Sequence, residues 1–517
     1  MEETSQSIVK MKVELWRKIL FIIAPFLAFY IIFFTKLDSQ NPAVSNTLAV
    51  AIWMALWWVS EIVPLAITSL LPIALFPLLG IMNGKAVSST YFNHVIFLFI
   101  GGFLVALAIQ KWNLHKRIAI KILQIVGVSP GKILFGFMFA TAFLSMWISN
   151  TATTMMMVPI LISIIVKLEE LNGRAKVKHF AVGLLLATAY SASVGGIATL
   201  VGTPPNLSFA RIFHIYFPNA PEISFSTWFI FAIPITTVLF IILFLYLYFV
   251  FVRKNKDWKN ISKNTLVEDM RKMGKVSYEE KIIGIIFVLL ALLWFFRSDI
   301  NIGFIDIKGW ANLFGNPKYI NDGTVAIIVA IVLFVIPSKQ EKGKFLMDWK
   351  AAEDIPWEII LLFGGGFALA SGFKESGLST WFGEQLSWLG GVHPLIIILS
   401  IALIVTFLTE LTSNTATVET FLPILAGLAV SIETNPLLFM LPATIAGSMA
   451  FMLPVATPPN AIVFGTRRLR ITQMAKTGLF LNLIGAVVLT LFVYYFGTYI
   501  FHIDPSVFPE WAKEVSH

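Results

Sequence analysis

The sequence predicts an all-α polytopic membrane protein, with about 11 transmembrane helices plus two re-entrant hairpins in inverted repeats. Three observations carry this reading. The chain is 57% hydrophobic and only 13% charged, with mean hydropathy +0.82, whereas soluble chains carry about 25% charged residues. Its apolar residues form runs near the roughly 20 residues a helix needs to cross a bilayer, not the short alternating segments of a barrel. Finally, the polar tetrapeptide Ser149-Asn150-Thr151-Ala152 recurs as Ser413-Asn414-Thr415-Ala416, each copy inside such a run.

Composition also excludes some classes. Cysteine is absent, which removes a disulfide framework and thiol chemistry. The net charge of +9 sits in short loops, as the positive-inside rule requires, and not on a nucleic-acid face. The first apolar run, Ile19 to Phe34, lacks a small-residue cleavage pattern after it. It reads as a retained first helix, not a signal peptide.

The loops orient the helices. Lys10, Lys12, Arg17 and Lys18 place the N-terminus in the cytoplasm. Helices are predicted near 15–35, 46–60, 63–80 and 94–110. Four crossings return the chain to the cytoplasm at Lys111, Lys116, Arg117, Lys121 and Lys132. The next stretch, Ile133 to Val166, has basic residues at both ends (Lys132, then Lys167, Arg174, Lys176 and Lys178). It therefore enters and leaves on one side, as a re-entrant hairpin lining a protein cavity.

Helices near 179–210 and 227–252 follow, then a basic cytoplasmic loop over 254–280 that reads as a solvated face. Further helices are expected near 281–297, 323–337 and 357–372. The stretch 393–430 is a second hairpin, flanked by little positive charge and so entering from outside. Helices near 437–466 and 473–503 complete the chain. They place Arg467, Arg468 and Arg470 inside and the C-terminus outside, in a multi-pass cell (inner) membrane protein.

The repeat extends beyond the tetrapeptides. TAFLSMWISNTATTMMMVPI (141–160) matches VTFLTELTSNTATVETFLPI (405–424), and FIGGFLVALAIQK (99–111) matches FGGGFALASGFKE (363–375) at the same offset. Downstream, Gly202-Thr203-Pro204-Pro205-Asn206 matches Ala456-Thr457-Pro458-Pro459-Asn460. By loop charge, the helix at 94–110 runs inward and its mate at 357–372 runs outward, so the halves are inverted. Inverted repeats with broken helices are characteristic of secondary transporters. A channel or a membrane enzyme is built this way less often.

Ser, Asn and Thr offer neutral oxygens and polar hydrogens. At hairpin tips they meet helix N-termini, which suit an anion. The Thr-Pro-Pro segments break two further helices and free backbone carbonyls, which suit a hard cation. No Lys, Arg or His lies between Lys132 and Lys167. In the second hairpin and just past it, after His393, the charged residues are Glu410, Glu419 and Glu433. A bound anion there lacks a side-chain cation, so bound alkali cations would offset it and couple the two ligands.

A single Ser-Asn-Thr at a helix start is ordinarily an N-cap, and a single Thr-Pro-Pro a helix stop. Two copies of each, in register, argue against those readings. Glu410 and Glu419 are ionisable at membrane depth and so functional suspects. The first repeat has Met146 and Met155 at those positions, which favours a structural role. His94 reads as interfacial, with proton coupling as the alternative. Trp53, Trp57 and Trp58 read as aromatic anchors or a packing surface. The seven histidines are scattered, and no Ser/His/Asp set or HExxH motif marks an enzyme.

Through both Ser-Asn-Thr motifs and the stretch SMAFMLPVATPPNAIV (448–463), essentially the whole chain resembles the divalent anion/sodium symporter family, the sodium:dicarboxylate/sulfate symporters. It looks closest to the bacterial sodium-coupled C4-dicarboxylate transporters. The resemblance implies a homodimer with scaffold and transport domains that work as an elevator. Residues 1–132 would hold scaffold helices 1–4 and residues 281–380 scaffold helices 7–9. Residues 133–253 and 381–517 would form the transport domain, with the 254–280 loop between. One sodium ion would bind Ser145, Ser149, Asn150 and the Gly202 carbonyl. A second would bind Thr409, Ser413, Asn414 and the Ala456 carbonyl. Substrate carboxylates would meet Asn150, Thr151, Thr203, Pro204, Asn414, Thr415, Thr457 and Pro458. Close bacterial relatives carry Ser where this chain has Thr203.

The expected function is sodium-coupled symport of succinate, malate and fumarate across the lipid bilayer. A sodium-independent exchanger, a sodium-coupled sulfate or citrate carrier, and an anion channel are the alternatives.

Overall fold

The computed structural model describes residues 2–253, 271, 273–301, 306–505 and 507–513. Most of them are helical. Eight helices are long and apolar enough to cross a membrane. Helix α1 (Glu2–Phe34) lies along α2 (Pro42–Ser60). The Asn41 side chain accepts from Ala43 N, and Pro42 fills the first position of α2 where no N–H is needed. The helix expected at 63–80 is split into α3 (Leu65–Thr68) and α4 (Leu71–Leu78), because Pro72 removes an N–H between them.

Helices α5 (Gly84–Thr90) and α6 (His94–Lys111) follow. Next comes α7 (Leu114–Val126), where the sequence was expected to form a basic loop. Its buried residues, His115, Ala119, Ile120 and Leu123, recur at helical spacing, while Arg117 pairs with Glu280 at 2.9 Å. A charge count registers the basic face and misses this period. Most of the predicted 254–280 loop, including Lys254, Lys256, Lys259 and Lys263, lies outside the described residues.

The first predicted hairpin is a broken helix pair, α8 (Pro130–Ser145) and α9 (Asn150–Asn172). Then α10 (Arg174–Ile197) and α11 (Pro204–Tyr216) replace one predicted helix. The break falls at Thr203-Pro204-Pro205, as the prolines require. The whole apolar window of α10 is buried. Its small residues permit this, and Gly195 presses on the backbone of Ala142 in α8. Helix α12 (Phe225–Leu247) ends the first half.

The second half runs through α13 (Tyr278–Phe295), α14 (Asp322–Val335), α15 (Trp349–Ala352), α16 (Trp357–Ser376) and the unpredicted α17 (Leu378–Gln385). The second broken pair is α18 (Pro394–Leu408) and α19 (Asn414–Ser431). Helices α20 (Leu437–Ala446) and α21 (Pro458–Gly465) again stand for one predicted helix, and α22 (Ile471–Leu491) follows. A short antiparallel pair, Ile300–Asn301 with Asp306–Ile307, decorates the insertion near 300–320.

The two halves interlock crosswise. Helix α11 packs on α19, and α21 packs on α9 and α10. Each Thr-Pro-Pro helix thus lies against the Ser-Asn-Thr helix of the other repeat. Arg468, beyond α21, adds an ion pair with Glu169 of α9 at 2.5 Å.

Candidate functional site

Both broken pairs join a hydroxyl to the asparagine that opens the next helix. After α8 the chain turns over Met146–Ser149, and Ser149 Oγ accepts from Ala152 N at 3.3 Å to cap α9. Ser145 Oγ donates to Asn150 Oδ1 at 2.5 Å. In the second pair, Thr409 Oγ1 lies 2.7 Å from Asn414 Oδ1 and 3.0 Å from the Gly447 carbonyl. Ser413 makes no corresponding cap bond.

The helix breaks come to these tips. A Cβ on Gly196 would stand 2.5 Å from Asn150 Oδ1 and 3.1 Å from the Gly202 carbonyl. Glycine at 196 therefore lets Asn150 and the freed Gly202 carbonyl approach the same point. Ser145, Asn150 and Gly202, predicted as one set, are brought together. Thr409 and Asn414 are likewise joined. Thr151, Pro204, Thr415 and Pro458 occupy the first turns of α9, α11, α19 and α21. Thr203, Thr457 and Ala456 are buried at the breaks. Thr457 Oγ1 accepts from Asn460 N at 3.4 Å, while Thr203 makes no side-chain cap bond.

Two site-shaping residues were not assigned from sequence. Asn206 Nδ2 donates to the carbonyls of Gly196 at 3.2 Å and Thr199 at 2.7 Å. Asn460 Nδ2 donates to those of Ala450 at 3.1 Å and Leu453 at 3.0 Å. These are matching positions of the two repeats. Each asparagine pins an unwound segment across its break, holding the chain open where a helix would otherwise close. The signal was present in the doubled Pro-Pro-Asn, but asparagine after a helix stop reads locally as turn chemistry.

Glu410 holds the second tip. Its carboxylate accepts from the N–H groups of Phe451 (2.7 Å), Met452 (2.8 Å) and Leu453 (2.9 Å), and from Asn482 Nδ2 at 2.8 Å. These charge-assisted bonds satisfy backbone donors that the break leaves free. The first repeat ties its break to its tip with a contact of opposite polarity: Thr199 Oγ1 donates to the Met146 carbonyl at 2.5 Å. Glu419 lies deeper, and its Oε1 accepts from Ser208 Oγ of α11 at 2.7 Å. His94 is exposed, with its ring 6.1 Å from that of His214.

The donor set is neutral hydroxyl, carboxamide and carbonyl oxygen, which suits a hard monovalent or divalent cation. Four helix N-termini beside it, those of α9, α11, α19 and α21, suit an anion.

The family model described as the sodium:sulfate symporter transmembrane region matches residues 12–503. The sodium-dependent dicarboxylate transporter SdcS of Staphylococcus saprophyticus is 42% identical over 490 residues, covering 93% of this chain and 92% of its own. SdcS from a bovine strain of Staphylococcus aureus is 44% identical over 462 residues, covering 88% and 86%. Among solved structures, the YdaH transporter of Alcanivorax borkumensis aligns with TM-score 0.55 at 13% identity, covering 81% of this chain and 87% of its own. That last likeness is one of fold alone. Matched along nearly its whole length, with the doubled tips in place, the chain belongs to the sodium:sulfate symporter transmembrane family.

Proposed function

We propose that this protein is a sodium-coupled symporter of C4-dicarboxylates such as succinate, malate and fumarate. The observation that carries the reading is the doubled tip: a hydroxyl, an asparagine and a freed carbonyl at one break, and a hydroxyl–asparagine pair at the other. Relatives named as sodium-dependent dicarboxylate transporters support the choice of cation and anion.

Sodium is a co-transported substrate here. One ion takes Ser145, Ser149, Asn150 and the Gly202 carbonyl, and the other takes Thr409, Ser413, Asn414 and the Ala456 carbonyl. The dianion is received by Asn150, Thr151, Asn414 and Thr415, with Thr203, Pro204, Thr457 and Pro458 beside it. The cations supply the positive charge that the side chains lack, so each ligand strengthens the other's binding. The crosswise packing of α11 on α19 and of α21 on α9 supports one transport unit. In this reading that unit carries both tips as re-entrant hairpins. It slides elevator-fashion against a scaffold of α1–α6 and α13–α16 in a homodimer of 11-helix protomers. The protein sits in the cell membrane with its N-terminus cytoplasmic and its C-terminus outside.

The test is uptake of radiolabelled succinate into proteoliposomes with and without a sodium gradient, competed by malate, citrate, sulfate and glutamate. Sodium-dependent uptake blocked by malate is expected. Undiminished exchange in choline buffer would sink the coupling. The family description favours a second reading, a sulfate carrier. Competition by sulfate but not malate would select it.

A further inference from the structure

Glu419 is fully buried, at 0% exposure, in the second turn of α19. Its Oε1 is satisfied by Ser208, but its Oε2 is buried without a hydrogen-bond partner. That oxygen lies directly over Gly366 of α16, where any Cβ would overlap the carboxyl group. The neighbouring glycines are used equally closely: Gly365 meets the backbone of Ser69, and Gly364 meets the ring of Tyr91. The triple glycine of α16 thus lets three different neighbours approach the helix backbone, and Gly366 is the one on which the Glu419 carboxyl rests.

Among the described residues the surroundings offer no countercharge. Helices α2, α18 and α20, which pack against α19, carry no ionisable side chain. Helix α17 carries Glu384, which is exposed. Helix α16 carries Glu358, Lys374 and Glu375, and the nearest of these stand eight residues from Gly366, about 12 Å along the axis. Lys374 is engaged with the Ile215 and Tyr216 carbonyls. Helix α11 carries Arg211, His214 and Tyr216, the last donating to the Ala370 carbonyl, and among the described residues none of them pairs with Glu419. Tyr91, against Gly364, gives its hydroxyl to the Ser69 carbonyl at 2.5 Å.

A bare carboxylate with one free oxygen at this depth is costly unless something neutralises it. A sodium ion would need several oxygens around it, and the close approach of Gly366 to Oε2 leaves no room for them. We propose that Glu419 is a proton-binding site, carrying a proton on Oε2 whenever α19 is packed on the glycines of α16. The inference rests on the proposed sliding of the transport unit: when α19 leaves α16, water reaches the carboxyl, the Oε2–H bond breaks and the proton passes to water. Return to the packed state takes up one proton from water. The group therefore gates the closing of this interface by pH, apart from the sodium and dianion sites.

Glu419→Gln keeps the shape and stays neutral. Infrared difference spectra of purified wild type against this variant, at mildly alkaline pH, should show the C=O stretch of a protonated carboxylic acid in the wild type and not in the variant. In proteoliposomes, the ratio of wild-type to variant uptake of succinate should fall several-fold as pH rises, because the wild type must recapture its proton and the glutamine need not. Taking the ratio cancels titration of the substrate itself. No carboxylic-acid band assignable to position 419 would overturn the proposal, and so would parallel pH profiles. Absence of sodium-dependent uptake in the wild type would instead overturn the transport reading, while the infrared band would still decide the proton. Misfolding of Glu419→Gln is checked by Ser208→Ala, which leaves the carboxyl in place. The band should persist in that variant at a shifted frequency, and its loss there would count against the site.

Discussion

Ser145 Oγ stands 2.5 Å from Asn150 Oδ1, across the break between α8 and α9. The same relationship joins Thr409 and Asn414, at 2.7 Å, across the break between α18 and α19. In each case a hydroxyl five residues upstream holds the carboxamide of the residue that opens the next helix. In the proposed symport these oxygens would be shared between a cation and an anion, which makes the two asparagines the first residues to test.

Asn150→Ala or Asn414→Ala should reduce sodium-driven succinate uptake to background in proteoliposomes. Each loses a neutral hydrogen bond worth about 1 kcal/mol, so thermal unfolding in detergent should move little. Wild-type uptake by either variant would remove the site assignment.

Gly196→Ala should raise the sodium concentration needed for half-maximal uptake. The added methyl stands 2.5 Å from Asn150 Oδ1 and 3.1 Å from the Gly202 carbonyl, inside normal contact distance, and pushes the two apart. A sodium titration of uptake reads the shift. An unchanged titration would show that these oxygens do not share a cation.

Glu410→Gln should destabilise the protein without removing a transported ligand's contact. Its carboxylate takes three backbone N–H groups and Asn482. A glutamine keeps one acceptor oxygen and turns an amide N–H₂ towards backbone donors. Losing charged hydrogen bonds costs about 1.5–3 kcal/mol each, so a clear drop in melting temperature is expected. The double change Glu410→Gln with Asn482→Asp tests whether a carboxylate nearby restores it.

Asp348 provides a pH dependence outside the membrane. The Lys111 ammonium at 2.8 Å and the Ala351 N–H together hold its carboxyl below the usual aspartate range. A lowered native value means stability is fully present above the unfolded value and lost as pH falls through the native one. The carboxylate is partly exposed, so the pair is worth about 0.5 kcal/mol. Asp348→Asn should unfold at slightly lower temperature near neutrality and converge with the wild type in strong acid. A constant difference across pH would refute the pairing.

The sequence by itself determined the membrane class, the repeat and the breakpoints. Long apolar runs, Pro-Pro pairs and a tetrapeptide repeated 264 residues apart (413 against 149) are local or self-comparing signals. They need no knowledge of what lies nearby. The hydroxyl–asparagine pairs at both tips were legible for the same reason, since their members lie five residues apart. Helix α7 was hidden because its charges masked its period.

Only the tertiary structure decided what meets across the breaks and between the repeats. Asn206 reaching back to Thr199, Glu410 gathering the N–H groups of 451–453, and Glu419 between Ser208 and Gly366 depend on breaks and crossings of whole helices. Met146 opposite Glu410 in the repeat argued for a bland role by position alone. In space, that structural role is specific: the glutamate accepts the three backbone N–H groups of 451–453 and Asn482 Nδ2. Burial and the count of backbone donors left by an unwound helix set a side chain's chemistry, and both are properties of packing, which the order of residues carries only once folded.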